Sequence, residues 1–201
     1  FMLILGGRLN ALNCVGKKKE SVTVVLNGAG AVGAATAKIL NHYGFKNILI
    51  CDSEGIIDRD RKNLTAIKKE LLQFANKDNQ KGNLLDALSG ADIFIGVSKA
   101  NLLKAEDIKE RMNGEAIIFA LANPNPEITP EEAKRGGAKV IASGRSDFPN
   151  QVNNVLAYPG IFRGAIDGQV QKITDKMKIA AAEALARTVK RPSAEKIIPG
   201  P

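Results

Sequence analysis

The sequence has 201 residues, of which 44% are hydrophobic and 25% are charged, values typical of a globular domain with a sizeable core. Its net charge is +8, but the basic residues are scattered and aromatic residues make up only 4%. Nucleic-acid-binding proteins concentrate their basic residues in stripes with interleaved aromatics, so we expect no nucleic-acid partner. No apolar run approaches the roughly 18 residues needed to cross a bilayer, so we expect no membrane association.

The chain opens with Phe1 and an apolar pattern over residues 2–12, whose spacing predicts a helix ending near Gly16. No capping residue precedes this helix, and Gly6 and Gly7 weaken the pattern. A helix with no start signal indicates a chain that begins earlier. We therefore expect residues 1–20 to link this chain to an upstream domain that is missing from it.

Strands and helices then alternate along the sequence. Apolar, β-branched runs predict strands at 22–27, 47–51, 92–98, 116–123 and 138–144. Helical spacing predicts helices at 31–43, 60–76, 84–88, near 105–112, after Thr129-Pro130, and over 171–190, with Ile173, Met177, Ala180, Ala181, Ala184, Leu185 and Val189 on one face of the last. Residues 144–160 are predicted to form a polar loop. This order predicts an α/β domain over 21–201, a Rossmann-type doubly wound parallel sheet with flanking helices.

A glycine-rich turn lies between the first predicted strand and the helix after it. Gly28, Gly30 and Gly33 form the pattern G-x-G-x-x-G, with Ala31 and Val32 before the third glycine. The first glycine permits a tight turn, the second lets a pyrophosphate approach the backbone, and the third lets helix and strand pack closely. The free N–H groups of a helix start favour phosphate. This context predicts a dinucleotide-binding site.

The second predicted strand ends at Asp52, where an acidic side chain bonds the adenosine ribose in dinucleotide-binding folds. Asp52 favours NAD over NADP, because a carboxylate repels a 2′-phosphate. Ser53 and the basic residues Arg59, Arg61 and Lys62 leave NADP open. An exposed helix start is the favoured interpretation of those basic residues.

Further polar residues follow the later strands. They are Ser98, Asn123, Ser143, Arg145 and Asp147, and Asn153 and Asn154 lie in the predicted loop. In open α/β sheets ligands bind at the carboxyl ends of the strands, so we expect these groups to collect there. An Asn before Pro is also a common turn cap, so a binding role and a capping role for Asn123 stay equally open. Asn153 and Asn154 share this ambiguity.

The sequence offers no familiar catalytic set. Its only histidine, His42, is predicted at the exposed end of a helix, which leaves no Ser-His-Asp or Cys-His combination. Cys14 and Cys51 are too few and too far apart for a metal site or a disulfide framework, so we expect a reducing, cytoplasmic setting. Three interpretations remain: a domain of a larger dehydrogenase, a stand-alone dinucleotide-binding module, or another Rossmann enzyme such as an amino-acid dehydrogenase or a methyltransferase.

Four segments, "VVLNGAGAVG", "ADIFIGVS", "IIFALANPNPEITPEEA" and "VIASGRSDFPNQVNNVLAYPGIFRGAID", resemble the cofactor-binding domain of malic enzyme. The resemblance covers nearly the whole chain. It implies oxidation of L-malate by NAD or NADP and decarboxylation to pyruvate and CO2, with Mg2+ or Mn2+ as Lewis acid.

The resemblance also implies roles for individual residues. Residues 28–33 are expected to cradle the pyrophosphate, and Ser98 to line the cofactor cleft. Asn123 is expected beside the nicotinamide and the substrate, and Asn154 on the substrate carboxylate with Asn153 adjacent. The family's catalytic Tyr and Lys and its metal ligands lie upstream of the stretch that this chain resembles. We therefore expect no catalytic or metal-binding residue in this chain, cofactor binding without turnover, and a homo-oligomer, dimeric or tetrameric, as in family members.

Overall fold

The computed structural model describes residues 2–200, so Phe1 and Pro201, with which the predicted domains begin and end, lie outside the described residues. The strands are β1 (Thr23–Asn27), β2 (Asn47–Asp52), β3 (Gly55–Ile56), β4 (Ile93–Gly96), β5 (Ile117–Ala120) and β6 (Val140–Ser143). The helices are α1 (Met2–Val15), α2 (Ala31–Tyr43), α3 (Ala66–Leu71), α4 (Leu84–Leu88), α5 (Ala105–Arg111), α6 (Pro130–Arg135), α7 (Tyr158–Asp167) and α8 (Asp175–Thr188). Among the described residues, none of these helices is both long and apolar enough to cross a membrane.

The six strands form one sheet in the order β3-β2-β1-β4-β5-β6. All neighbours are parallel except β3, which pairs antiparallel with β2. Val25 in β1 lies between Leu49 and Phe94, and every apolar residue of the central strands is buried. The predicted Rossmann-type α/β fold is confirmed. Strand β3 was not predicted, because two residues are too short to show a strand pattern.

The sheet buries a hydrophobic core on each face. Alternate residues of β1 divide between the two cores, since Val24 and Leu26 pack on one face and Val25 packs on the other. The first core includes residues of α1, α2 and α8, and the second includes residues of α4, α5 and α6. Helices on both faces explain why these strands read as continuous apolar runs.

Helices α1 and α8 pack against each other, and the glycines of α1 explain how. A Cβ on Gly6 would lie 2.9 Å from the carbonyl oxygen of Ala182, and one on Gly7 would lie 3.3 Å from the Phe119 ring. The glycines that weakened the predicted helix are therefore points of close approach. The predicted helix over 171–190 is confirmed but shorter. Its predicted face is only partly right, because Val189 is buried, but Ala180 and Ala184 are exposed and the buried Ala182 and Ala186 lie outside the predicted face.

The predicted helix over 60–76 is wrong over most of its length. Only Ala66–Leu71 is helical, and Thr65 caps this helix, because its hydroxyl accepts a hydrogen bond from the Lys68 N–H. Residues 59–65 instead run as irregular backbone. The Arg59 guanidinium donates to the carbonyl oxygens of Asn76 and Leu72, 2.8 Å and 3.2 Å away. These tertiary contacts override the local helical spacing.

The predicted polar loop over 144–160 is partly wrong. A short 3₁₀ helix covers Asn154–Leu156, and α7 begins at Tyr158. Pro159 lies in the first turn of α7, where a missing N–H is tolerated. None of the α7 residues is buried. The helix escaped prediction because Pro159, Gly160 and Gly164 obscure its apolar pattern.

Candidate functional site

A cleft of about 730 Å³ opens at the carboxyl ends of the strands. It lies at the topological switch point between β1 and β4, after which the chain continues to opposite faces of the sheet. Open α/β sheets bind their ligands at this point. Its lining comes from α1, α2, the loops after β4, β5 and β6, and residues 151–154. Five of the predicted site residues line it together: Val32, Ser98, Asn123, Asn153 and Asn154.

The glycine turn lies beside this cleft and has the geometry that the sequence predicts. Gly28 has φ of 120°, which L side chains rarely adopt, and a Cβ there would lie 3.0 Å from the Val97 carbonyl oxygen. A Cβ on Gly33 would overlap the carbonyl oxygen of Gly28. Gly30 caps α2 without any side-chain hydrogen bond, and no atom lies within 4 Å of its missing Cβ. The first N–H groups of α2, beginning at Ala31, are therefore free for an anionic ligand.

Asp52 ends β2 and is held by two cations. Arg61 Nη1 lies 2.9 Å from both carboxylate oxygens, and Lys68 Nζ lies 2.7 Å from Oδ2. Burial favours the neutral acid, but hydrogen bonds from Lys68, Arg61 and the Glu54 N–H hold the pKa of Asp52 below its ordinary value. The carboxylate is therefore ionised at neutral pH.

The interpretation of the basic residues as an exposed helix start is wrong. The Arg61 side chain is only 15% exposed, and residues 59–62 are not helical. Arg59 is occupied by backbone carbonyls, as described above. Arg61 and Lys68 are therefore the cations nearest to Asp52, and sequence spacing did not single out Lys68.

The cleft itself is lined by amides, whereas Asp52, Arg61 and Lys68 are not among its lining residues. Ser98 follows β4 and Asn123 follows β5, and both are exposed. Within residues 2–200 the side chains of Asn123 and Asn154 make no hydrogen bond. The Asn153 side-chain oxygen accepts from the Val155 N–H at 3.1 Å, so this residue caps the 3₁₀ helix. Two unpaired amides facing one cleft can bind a carboxylate or a carboxamide.

The rim after β6 carries an ion pair. Arg145 Nη2 lies 2.5 Å from Asp147 Oδ2, and the Ser143 hydroxyl accepts from the Arg145 N–H at 3.2 Å. Both charged residues line the cleft, as their position after β6 predicted. Sequence reasoning missed Leu3 and Ile4 of α1, which form an apolar wall of the same cleft. Only the tertiary packing of α1 brings them there.

The described residues do not fit a divalent metal. Across residues 2–200, no cluster of three or more His, Cys, Asp or Glu side chains has the geometry to hold an ion. His42 is exposed, as predicted. The residues do fit a dinucleotide, because the uncapped start of α2 and the missing Cβ of Gly30 leave an open cradle for phosphates.

The fold and the glycine turn define a Rossmann-type domain of the class that binds dinucleotides. Comparison with known families refines this class. The family described as "Malic enzyme, NAD binding domain" matches residues 2–200. The chain belongs to this family, and the resemblance seen in the sequence is confirmed.

Relatives of known sequence and structure agree. The bifunctional malic/malolactic enzyme of Bacillus subtilis is 50% identical over all of this chain and 49% of its own length. The NADP-dependent malic enzyme of Rhizobium meliloti is 43% identical over 94% of this chain and 25% of its own length. The crystal structure of NAD-dependent malic enzyme from Thermotoga maritima matches with a TM-score of 0.95 and 46% identity, over 99% of this chain and 52% of that one. The chain thus spans about half, or less, of these relatives.

Proposed function

We propose that this chain binds NAD or NADP in the cleft and serves as the cofactor domain of a malic enzyme. The observation that carries this proposal is the single cleft that joins the uncapped start of α2 to the unpaired amides of Asn123 and Asn154. In this arrangement the turn at Gly28, Gly30 and Gly33 holds the pyrophosphate. The backbone N–H groups of Ala31 and Val32 face the phosphates, and Ser98 lines the cleft along which the cofactor extends.

Asp52 is the proposed partner of the adenosine ribose. Its ionised carboxylate suits the 2′-hydroxyl of NAD, while Arg61 and Lys68 beside it suit the 2′-phosphate of NADP. The relatives include both an NAD-dependent and an NADP-dependent malic enzyme. We propose that the chain accepts both cofactors, with NAD favoured by the carboxylate.

The proposed reaction is that of the family: L-malate and NAD(P)+ give pyruvate, CO2 and NAD(P)H. When bound, the cofactor supplies a hydride acceptor. Within this chain, Asn123 orients the nicotinamide and the substrate, and the Asn154 amide donates to the substrate carboxylate, with Asn153 fixing the loop beside it. The metal ion and the groups that transfer protons belong to the upstream domain, to which residues 1–20 connect residues 21–201. The complete protein is proposed to be a cytoplasmic homo-oligomer, dimeric or tetrameric.

Binding of NADH by the 201-residue chain tests the proposal. Titration followed by nicotinamide fluorescence should give saturable binding that ADP-ribose displaces. The same chain supplied with malate, Mn2+ and either dinucleotide should produce no pyruvate, because the described residues offer no metal site. S-adenosylmethionine should not compete. Binding of S-adenosylmethionine without NADH binding would support the methyltransferase interpretation instead.

The amides at the substrate end need a test of their own. In the complete enzyme, Asn154→Ala should raise the KM for malate about tenfold or more, because a hydrogen bond to a charged carboxylate is lost. Asn123→Ala should change both KM and kcat. Asn125→Ala, an exposed asparagine two residues further on, is the matched control and should change neither. An Asn123 variant with unchanged kinetics would contradict the role given to this residue.

A further inference from the structure

Glu127 is a fully buried carboxylate that joins two loops of the cleft from beneath. Its side chain is 0% exposed. Oε1 accepts a hydrogen bond from the Ser98 N–H at 2.9 Å, and Oε2 accepts one from the Ala122 N–H at 3.0 Å. The first donor lies in the loop after β4 and the second in the loop after β5. One carboxylate therefore fixes the spacing of both loops.

The backbone of Glu127 extends this connection. Its carbonyl oxygen accepts from the N–H groups of Leu102 and Leu103, at 2.8 Å and 3.0 Å. The loop that begins after β4 is thus attached to Glu127 near both of its ends. On the other side, a Cβ on Gly96 of β4 would overlap the Glu127 carboxyl group. The glycine of β4 is what makes room for this carboxylate.

Burial of the Glu127 carboxylate is electrostatically unfavourable. Among the residues that the structure describes, no cation pairs with Glu127, and only backbone N–H groups satisfy it. Burial raises the pKa of Glu127, although the hydrogen bonds from Ser98 and Ala122 oppose that shift. A buried charge held only by dipoles contributes less to stability than an apolar side chain of similar size. The contacts of Glu127 point instead to a role in geometry.

We propose that Glu127 is a positioning residue for the nicotinamide half of the cofactor, an inference that rests on the proposed function. A dinucleotide that places its ribose at Asp52 extends across the switch point toward the loops after β4 and β5. Those loops carry Ser98 and Asn123, which face the cleft while Glu127 does not. Glu127 acts through them, by holding Ser98 directly and Asn123 through the neighbouring Ala122.

The test compares two ligands in the 201-residue chain by calorimetric titration. ADP-ribose reports on the adenosine half, and NADH adds the nicotinamide. Glu127→Gln replaces one acceptor oxygen with an NH2 group, which faces a backbone N–H and releases one loop. We expect the affinity for NADH to fall about tenfold or more and the affinity for ADP-ribose to stay within twofold. Glu110→Gln, an exposed residue of α5, is the matched control and should change neither.

A second variant reaches the same carboxylate from the opposite side. Gly96→Ala should displace Glu127 and give the same selective loss of NADH. Equal loss of both ligands in both variants would overturn the positioning role in favour of a general role in folding. Unchanged NADH affinity would overturn it as well, as would a wild-type chain with equal affinity for both ligands. A wild-type chain that binds neither ligand would overturn the proposed function itself, and this inference with it.

Discussion

The two ends of the path proposed for the cofactor, an adenosine end and a substrate end, differ in how completely residues 2–200 build them. At the adenosine end, the turn at 28–33 is closely packed and Asp52 has hydrogen bonds from Arg61, Lys68 and a backbone N–H. At the substrate end, Asn123 and Asn154 have unpaired amides, and the exposed helix α7 follows directly. At the first end these groups are packed or paired within residues 2–200. The second presents amide groups that residues 2–200 leave unpaired, in a chain that spans about half of its relatives.

The largest expected effect is a loss of NADH affinity from a change at the proposed adenosine end. Gly33→Ala places a Cβ against the carbonyl oxygen of Gly28, both of which are backbone-anchored, so the turn must open. We expect NADH affinity to fall at least about 100-fold, or about 2.7 kcal/mol. Fluorescence titration measures this loss. Gly114→Ala, a turn glycine with no atom within 4 Å of its missing Cβ, is the matched control.

Gly30→Ala separates packing from ligand contact. No protein atom lies within 4 Å of that Cβ and φ is −74°, so the free energy of unfolding should change little. If a pyrophosphate approaches this backbone, NADH affinity should still fall. A variant that keeps full affinity would show that the cofactor does not pass Gly30.

The core that contains Phe45 and Phe119 also encloses a guanidinium group without a polar partner among the described residues. Arg8 in α1 is 0% exposed, and its guanidinium finds no hydrogen-bond partner within residues 2–200. Among the described residues, its compensation is contact with the rings of Phe45 and Phe119, 5.7 Å and 5.5 Å from their centroids. Burial lowers the pKa of Arg8 well below its ordinary value. We expect Arg8→Leu to raise the free energy of unfolding by about 1–4 kcal/mol, measured by urea denaturation.

Arg191→Leu is the control for that experiment. Arg191 is exposed, so its replacement should change the free energy of unfolding by less than about 0.5 kcal/mol. If Arg8→Leu lowered the free energy of unfolding, Arg8 would have a stabilising partner in solution. The polar groups of the core under β5 would then be paired, as those around Asp52 are.

The same contrast explains which features the sequence predicts. The unit formed by β1, α2 and β2 is local, so its strand pattern, glycine spacing and terminal acid identify the fold and the adenosine end without tertiary information. The strand-end rule also places Ser98 and Asn123 in the cleft correctly. The roles of these residues, and of Gly30 and Asp52, stay predictions until cofactor binding is measured.

Features that depend on distant contacts were missed. The pairing of Asp52 with Lys68 requires the irregular path of residues 59–65. Arg59 fixes this path by donating to backbone carbonyl oxygens, and no periodic sequence pattern indicates such contacts. Burial of Arg8 reverses the usual expectation for an arginine, and Glu127 is a charged residue inside a Pro-rich segment that reads as a surface turn. In each case long-range packing outweighs local preference.

A smaller effect tests whether the proposed adenosine end prefers NAD or NADP. Lys68→Met removes a cation 2.7 Å from Asp52 while keeping a long apolar stem. We expect NADP affinity to fall about tenfold and NAD affinity to stay within twofold, because only NADP carries a 2′-phosphate. Competition titrations against NADH measure both. Lys69→Met, an exposed neighbour without an ion pair in residues 2–200, is the control, and an equal loss for both cofactors would assign Lys68 a structural role instead.

The smallest expected effect lies at the substrate end. Tyr158, Phe162 and Ile166 form an apolar stripe on α7 and are 62%, 44% and 71% exposed. Because Ile166 contributes to no core, Ile166→Ser should change the free energy of unfolding by less than about 0.5 kcal/mol, whereas Leu88→Ala in the buried core should lose about 2–5 kcal/mol. A loss above about 1 kcal/mol that grows with protein concentration would mean that a second copy covers α7. The substrate end would then be completed by self-association, and the contrast between the two ends would hold for the monomer alone.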